Sequence, residues 1–253
     1  MSRVKSSIVA TLGVSPPVIT EFLEYMIKLD EDITDMTILY TSEVEVRESF
    51  KLAECAVRDR YPRVRVHGKM MSPPDITSTE DVYSFLDFGA KVLRDELVEH
   101  RVQRIYLNLS GGRKSMAVVL AILAQFFPVS GAYLVVARDV KTFNQNLERI
   151  RHEMAELARS PDPLEYYRAR RELFEPVMYP PREEYEVVEI PAIPYPPATL
   201  RKLLEIEAGE ADLPEELLER LKAVSLVSVT RRRIYPTDNL RRVLRILRRA
   251  LQA

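Results

Sequence analysis

Apolar residues in the first half of the chain fall into short continuous runs, separated by longer stretches in which they recur every three or four positions. A short apolar run predicts a buried strand, and the longer repeat predicts an amphipathic helix. The predicted strands are residues 5–12, 36–40, 63–67, 104–108 and 131–136, and the alternating helices are residues 16–27, 43–61, 79–100 and 116–127. This alternation predicts a parallel sheet with helices on both faces.

The second half of the chain is more charged. Its pattern predicts helices at residues 140–160 and 163–174, a strand at 185–190, a proline-rich linker at 191–197, helices at 198–208, 214–223 and 237–251, and a hairpin at 225–235. We therefore expect an α/β fold with a Rossmann-like, doubly wound, mainly parallel six-stranded sheet within residues 1–197 and a helical insertion at 140–173. Residues 198–253 are expected to form a small basic region that is helical or winged-helix-like.

Composition narrows the class of protein. Hydrophobic residues make up 46% of the chain and charged residues 30%, which predicts a packed core and a charged surface. No apolar run approaches the roughly 20 residues of a membrane helix, and the N-terminus lacks an export pattern. The single Cys55 cannot form an internal disulfide, so we expect a cytoplasmic protein with no membrane partner. Frequent arginine and proline with scarce glycine hint at a thermophilic source.

Two unusual loops follow the first and fourth predicted strands. In a sheet of order 3-2-1-4-5-6 these strands are neighbours, and ligands bind in the crevice at their carboxyl ends. The loops are residues 13–17 (GVSPP) and 110–115 (SGGRKS), and each leads into a helix N-terminus, where free amides and the helix dipole favour anions. Arg113 offers a planar fork for phosphate and Lys114 a mobile charge, so the loops predict a phosphate-binding site.

Other interpretations of these residues remain open. Ser15 is a natural N-cap with Pro16 at the first helical position, and the glycines could serve only a tight turn. The spacing matches neither the Walker A motif nor the dinucleotide fingerprint, which disfavours an NTPase or an NAD enzyme. His67, His100 and His152 are far apart with no neighbouring ligand, so we expect no metal and no cofactor.

The two loops resemble those of a known family. The segments TLGVSPPVITEFL at 11–23 and LNLSGGRKSMA at 107–117 resemble the CARF superfamily, and most of all its stand-alone CRISPR-associated proteins. The segments FEPVMYPP at 174–181 and VVEIPAIP at 187–194 resemble the later part of that group. The resemblance implies a homodimeric sensor of cyclic oligoadenylate, and some stand-alone members are ring nucleases that cut cyclic tetra-adenylate into di-adenylates without metal.

The resemblance also implies roles for particular residues. Ser15 matches the serine of the first loop, and Arg113 and Lys114 match the basic pair of the second, so these three are the candidate catalytic residues. Some relatives carry a further basic residue after the last strand, for which Arg201 and Lys202 are the nearest candidates. The candidate ligand-binding residues are Gly13, Val14, Thr41, Ser42, Asn108, Ser110, Gly111, Gly112, Ser115, Arg201 and Lys202.

A mechanism follows as a hypothesis. The ribose 2′-hydroxyl of the ring attacks the adjacent phosphorus and leaves a 2′,3′-cyclic phosphate, while the protein aligns the backbone and stabilises negative charge. Ser15 positions the phosphate or ribose, and Lys114, helped by Arg113, stabilises the transition state. In a two-fold dimer, two copies of Arg113 and Lys114 supply four positive charges, one for each phosphate of cyclic tetra-adenylate.

Two rival functions deserve a test. The first is a non-catalytic sensor that binds DNA, because residues 225–253 contain eight arginines and one acid. The second is a ribonuclease of the HEPN type, whose R-x₄₋₆-H motif matches the spacing of Arg94 and His100. This pair lies between the third and fourth strands, within the predicted sheet unit, so we interpret the match as chance.

Overall fold

The computed structural model describes residues 4–72, 74–208, 213–230 and 233–252. The strands of the main sheet are β1 Ser6–Leu12, β2 Ile33–Thr41, β3 Arg65–Met71, β4 Arg104–Asn108, β5 Gly131–Ala137 and β6 Tyr185–Ile190. Their order is β3-β2-β1-β4-β5-β6, with β6 antiparallel to β5 and the other neighbours parallel. The predicted fold class, a doubly wound and mainly parallel six-stranded sheet, is confirmed.

Helices cover both faces of this sheet. They are α1 Pro17–Lys28, α2 Val44–Arg60, α3 Thr79–Val98, α4 Lys114–Leu123, α5 Val140–Arg159, α6 Pro163–Ala169 and α7 Arg171–Met178. On β1, Ile8 and Ala10 pack in the core that contains α1 and α2, whereas Val9 packs in the core with α3 and α4. Every residue of β1 is buried, as expected for a central parallel strand covered on both faces.

The third strand lies later in the chain than its alternating pattern predicted. We expected a strand at 63–67 and a loop from residue 70, but β3 pairs in register with β2 from Arg65 to Met71. The ring of Phe50 on α2 packs so closely over Gly68 that a Cβ there would lie 2.4 Å from it. Pairing with the long β2 and packing under α2 therefore decide the position of this edge strand.

The predicted helical insertion adds a layer outside α1 and α2. Ile150, Met154, Tyr167 and Phe174 of α5–α7 are buried in the same core as these two helices, and the rings of Tyr167 and Phe174 stack with centroids 5.5 Å apart. Asp59 at the end of α2 accepts hydrogen bonds from two arginines of α6 and α7, at 2.9 and 2.6 Å. The segment is thus packed into the fold along its length.

The C-terminal region has its own small core. It comprises α8 Pro197–Ala208, α9 Glu215–Ala223, the antiparallel hairpin β7 Val227–Thr230 and β8 Arg233–Pro236, and α10 Asp238–Leu251. Leu200, Leu240 and Leu244 belong to this core, whereas Ile246 of α10 packs with α3. The domain boundary at residue 197 stays a prediction. Arg231 and Arg232 of the predicted hairpin lie outside the described residues.

The expectation that the histidines stand apart is wrong for one pair. The rings of His67 and His100 lie 6.1 Å apart, and each contacts a buried carboxylate: His67 Nε2 is 3.2 Å from Asp35 Oδ1, and His100 Nδ1 is 3.4 Å from Glu96 Oε1. Strand pairing brings β3 beside the end of α3, which sequence distance does not reveal. Within the described ranges, these residues form no group of three ligands able to hold a metal ion.

Arg94, the other half of the HEPN-like match, pairs with Asp95 of its own helix at 3.0 Å and with Glu99, the residue that follows the helix, at 3.6 Å. Across the part of the chain that is described, no helix combines the length and the apolar character needed to span a membrane. Cys55 is a buried free thiol, and burial raises its pKa to about 12.

Candidate functional site

The two predicted loops touch through their backbones at the carboxyl ends of β1 and β4. A Cβ on Gly13 would lie 2.9 Å from the backbone nitrogen of Gly112, and one on Gly111 would lie 2.2 Å from the carbonyl oxygen of Thr11. Gly112 has a φ of +77°, which side-chain-bearing residues rarely adopt. Thr11 Oγ1 donates a hydrogen bond of 2.7 Å to the Gly111 carbonyl. The glycines therefore permit a close contact that any side chain would separate.

A buried polar network holds the second loop in place. Asn108, with no exposed surface, donates 2.9 Å to the Val18 carbonyl on α1 and accepts from the backbone nitrogen and hydroxyl of Ser110 at 3.1 and 2.5 Å. Ser110 Oγ also accepts from the Val135 amide of β5 at 2.6 Å. We predicted Asn108 and Ser110 as ligand-binding residues, but this geometry favours a positioning role, because their hydrogen bonds point inward.

Helices α1 and α4 begin at this contact without any acidic partner. Neither has a capping side chain or an acidic residue in its first turn. By contrast, Ser78 and Asp81 form a capping box on α3, and Asp139 and Asp162 cap α5 and α6. Pro16 and Pro17 have no amide hydrogen and the Ile19 amide donates to the Pro16 carbonyl at 3.1 Å, so α1 offers an anion mainly the positive end of its dipole. At α4 the Met116 amide donates to the Arg113 carbonyl at 2.9 Å, and the amides before it remain available to an anion.

The predicted capping role of Ser15 is wrong. Helix α1 begins at Pro17, Pro16 occupies the N-cap position, and no side chain caps the helix. If Ser15 were the N-cap, Pro17 would stand at the second helical position, where it has no amide hydrogen to donate to the Ser15 hydroxyl. Ser15 is half-buried, and its hydroxyl makes no hydrogen bond with the described residues. It is therefore available to bind a ligand beside the loop contact.

A cavity of about 170 Å³ opens over the two loops. Its lining residues are Leu12, Gly13, Val14, Thr41, Glu43, Val46, Gly112, Arg113 and Met116. Thr41, at the end of β2, lines this space, whereas Ser42 donates its hydroxyl to the Ser72 carbonyl at 2.6 Å. Four of the predicted binding residues, Gly13, Val14, Thr41 and Gly112, thus share one cavity with Arg113.

Arg113 has an acidic partner that the sequence did not reveal. Its Nε and Nη2 donate to the two carboxylate oxygens of Asp75 at 2.6 and 2.5 Å, a bidentate pair. The hydrogen bonds from Arg113, with another from the Ile76 amide, hold the pKa of Asp75 below its usual value. Asp75 lies in the loop between β3 and α3, and only the folded topology brings this loop over the crevice.

Lys114 is the cation of the loop that keeps no acidic partner within the described structure. It is exposed at the first position of α4. Ser115 beside it is half-buried and likewise makes no hydrogen bond with described side chains. Lys114 can therefore move toward a bound anion without breaking an ion pair.

Arg201 and Lys202 lie elsewhere. Both are exposed on α8, and neither lines the cavity over the loops. Because β6 runs antiparallel to β5 and ends opposite Ala132, the chain leaves the sheet at its amino edge before entering α8. The structure of one protomer therefore does not support the expectation that Arg201 and Lys202 bind a ligand held over the two loops.

Comparisons with known proteins add an independent finding. The family model for CRISPR-associated protein NE0113 matches residues 15–225. The CRISPR system ring nuclease SSO2081 of Saccharolobus solfataricus is 28% identical over 148 residues, which are 57% of this chain and 78% of that protein.

Two solved structures also align with the chain, each at 12% identity. Enterococcus italicus Csm6 bound to cyclic hexa-2′-fluoro-hexa-dAMP gives a TM-score of 0.49 over 97% of this chain, which spans only 54% of Csm6. Can2 from Sulfobacillus thermosulfidooxidans in complex with cyclic tetra-adenylate gives a TM-score of 0.33, covering 98% of this chain and 100% of Can2. The sheet order itself, rather than these alignments, establishes the fold.

We expect Gly111→Ala to lower the free energy of unfolding by about 3 kcal/mol, because the new Cβ would collide with backbone atoms that cannot turn aside. Urea unfolding measures the change. Ser115→Ala is the control and should stay within about 0.5 kcal/mol of the parent, because the Ser115 hydroxyl makes no hydrogen bond with the described residues. Equal stability of Gly111→Ala and the parent would contradict the close contact.

Proposed function

Because the chain belongs to the family of CRISPR-associated protein NE0113, we propose that it is a ring nuclease that binds cyclic tetra-adenylate over the two loops and cleaves it to linear di-adenylates. The observation that carries this proposal is the meeting of two uncapped helix N-termini at a glycine contact, with Lys114 unpaired beside it. Backbone amides and the mobile ammonium group of a lysine bind phosphate groups whatever base the nucleotide carries. The similarity to a named ring nuclease supports the choice of ligand.

The chemistry needs little from the protein beyond alignment. The 2′-oxygen of one ribose forms a bond to the adjacent phosphorus, and the bond from phosphorus to the 5′-oxygen breaks. The 2′-proton passes to solvent, and the leaving 5′-oxygen takes a proton from water. Two such cuts in cyclic tetra-adenylate leave two di-adenylates, each ending in a 2′,3′-cyclic phosphate. Helix amides and Lys114 stabilise the charge that builds on the phosphoryl oxygens, and Ser15 orients the phosphate or ribose.

A second copy of the chain completes the site in this proposal. Exposed apolar side chains surround the carboxyl edge of the sheet and continue along α4: Val14, Val44, Met70, Val118 and Ile122. Apolar side chains grouped in this way are typical of a protein–protein interface. A two-fold axis near this edge would place two copies of both loops around one ring.

The charge balance differs from the one that the sequence suggested. Counting Arg113 and Lys114 from two protomers gave four free cations, but Asp75 offsets each Arg113. Two lysines and four helix N-termini then carry most of the attraction for the phosphates. Arg113 joins them only when it exchanges Asp75 for a phosphate.

The alternative function, a sensor that binds DNA, depends on the basic C-terminal helix. Four of the five arginines of α10 already pair with acids: Arg241 with Asp238, Arg242 with Glu80, Arg248 with Glu207 and Arg249 with Asp87. Arginines held in this way are poor phosphate contacts, so the ring nuclease is the better supported function. A salt-dependent shift of duplex DNA would restore the alternative.

Incubation with labelled cyclic tetra-adenylate in EDTA tests the proposal directly. We expect di-adenylate that ends in a 2′,3′-cyclic phosphate, because the attacking group belongs to the substrate. Tight binding without product would replace the nuclease by a sensor. Absence of binding would overturn the proposed function.

Lys114→Ala should slow single-turnover cleavage about a hundredfold or more, since one well-placed donor is worth about 3–4 kcal/mol in the transition state. Lys91→Ala, which removes an exposed lysine of α3, serves as the matched control and should cleave at the parent rate. Rapid quenching of pre-bound ring separates the rate from affinity. An unchanged rate for Lys114→Ala would remove this residue from the mechanism.

Asp75→Asn should raise the affinity for the ring about fivefold, because it frees Arg113 from a charged partner while keeping the shape of the side chain. Fluorescence titration of a ring that lacks 2′-hydroxyls measures affinity without cleavage. In the double variant Asp75→Asn, Arg113→Ala, the gain should vanish. A gain that persists without Arg113 would show that the pair does not regulate binding.

A further inference from the structure

A second cavity, of about 290 Å³, opens at the same edge of the sheet on the α1 side. Its walls come from the second turn of α1, the connection from β5 to α5, and residues 180–184 before β6. Neighbouring strands lie about 4.8 Å apart, so the ends of β1 and β5, separated by β4, are about 10 Å apart. A ligand as large as a cyclic oligonucleotide can reach both cavities.

Glu21 of α1 lines this second cavity and is buried without a partner for its carboxyl group. It is only 3% exposed, yet its carboxyl group makes no hydrogen bond and no ion pair with the described residues. A buried carboxyl group without a partner costs free energy. Burial, and secondarily the charge of Glu184, raise its pKa to about 7. Glu21 can therefore present a neutral acid, which both donates and accepts a hydrogen bond.

Phe143, in the first turn of α5, lines the same cavity. Its ring is half-exposed and belongs to none of the hydrophobic clusters of the described residues. An aromatic ring left out of the core and beside a polar pocket is suited to stack against a planar base.

The charges of this cavity exclude a phosphate. Asp139, Glu183 and Glu184 outnumber Arg138, which lies 3.8 Å from Glu186 on β6. Asp139 is already engaged, because it accepts from the Lys141 and Thr142 amides at 3.0 and 3.1 Å and from the Thr142 hydroxyl at 2.6 Å. Glu21 is thus the buried acid of this cavity that remains available, in surroundings that favour a neutral ligand carrying an amino group.

We propose that this cavity binds an adenine base of the ring, with Phe143 stacked on the base and Glu21 paired to its Watson–Crick edge. The inference rests on the proposed function. The protonated carboxyl of Glu21 donates to adenine N1, and its carbonyl oxygen accepts from the N6 amino group. The acidic walls attract the same amino group and keep the phosphates over the loops. The phosphates and the base are then recognised by separate cavities at the same edge of the sheet.

The pairing makes affinity depend on pH. The groups that face Glu21 are Arg138 and Asp139 from the β5–α5 connection, Glu183 and Glu184 before β6, and Tyr185, whose hydroxyl donates to the Glu21 backbone carbonyl at 3.3 Å. The protonated form binds, and it is the minor form above the pKa of about 7. Affinity should therefore fall about tenfold between pH 6 and pH 8.

Calorimetric titration with a non-cleavable ring that lacks 2′-hydroxyls tests the inference. Glu21→Gln keeps a donor and an acceptor at every pH, so it should bind with a constant affinity near that of the parent at pH 6. Glu21→Leu should bind about tenfold more weakly and should no longer discriminate against a ring whose adenines carry CH in place of N1. Phe143→Ala should weaken binding about tenfold, and Phe143→Tyr should restore it.

The outcomes separate this inference from the function on which it rests. A parent protein that binds the ring with the same affinity at pH 6 and pH 8, or equal binding by Glu21→Gln and Glu21→Leu, would overturn the adenine subsite and leave the ring nuclease intact. Failure of the parent to bind the ring at either pH would overturn both.

Discussion

The close approach of the backbone at Gly13 and Gly111–Gly112 is the constraint on which the proposed site depends. The ends of β1 and β4 lie side by side in the sheet, and their loops can share one crevice only where no side chain separates them. This contact sets the directions of α1 and α4, whose positive ends then converge on the same space. The hydrogen bond from the buried Asn108 side chain to the Val18 carbonyl of α1 holds this arrangement in place.

Electrostatics divides the carboxyl edge into two unlike halves. Over β1 and β4 the attraction for anions comes mainly from backbone dipoles, with Lys114 as the mobile charge and Arg113 held by Asp75. Over β5 the surface is acidic and contains the unpaired Glu21. Exposed dipoles cost little free energy, whereas unpaired cations at the neighbouring positions 113 and 114 would repel each other, so the pairing of Arg113 with Asp75 stabilises the loop.

Much of the fold followed from the sequence because apolar periodicity is local. The order of strands and helices, and the meeting of the two loops, required only the period of each segment and the rules of parallel sheets. The errors arose where distant segments meet. Asp75, the partner of Arg113, and the buried Glu21 lie in segments that carry no motif, and His67 reaches His100 only through strand pairing. Ser15 was misjudged because Pro16 takes the N-cap position.

The paired Arg113 also bears on how a ring would be gripped. A phosphate that displaces Asp75 must break a bidentate ion pair, so the net gain from Arg113 is smaller than its full attraction for the phosphate. Lys114 and the helix termini have no ion pair with an acid to break when a phosphate binds. The attraction available to one protomer is therefore modest, and a polyanion with several phosphates would need both copies of the loops at once. A two-fold dimer, as proposed, would meet this requirement, because the second copy of the loops would present the same arrangement of helix termini and Lys114 to the remaining phosphates.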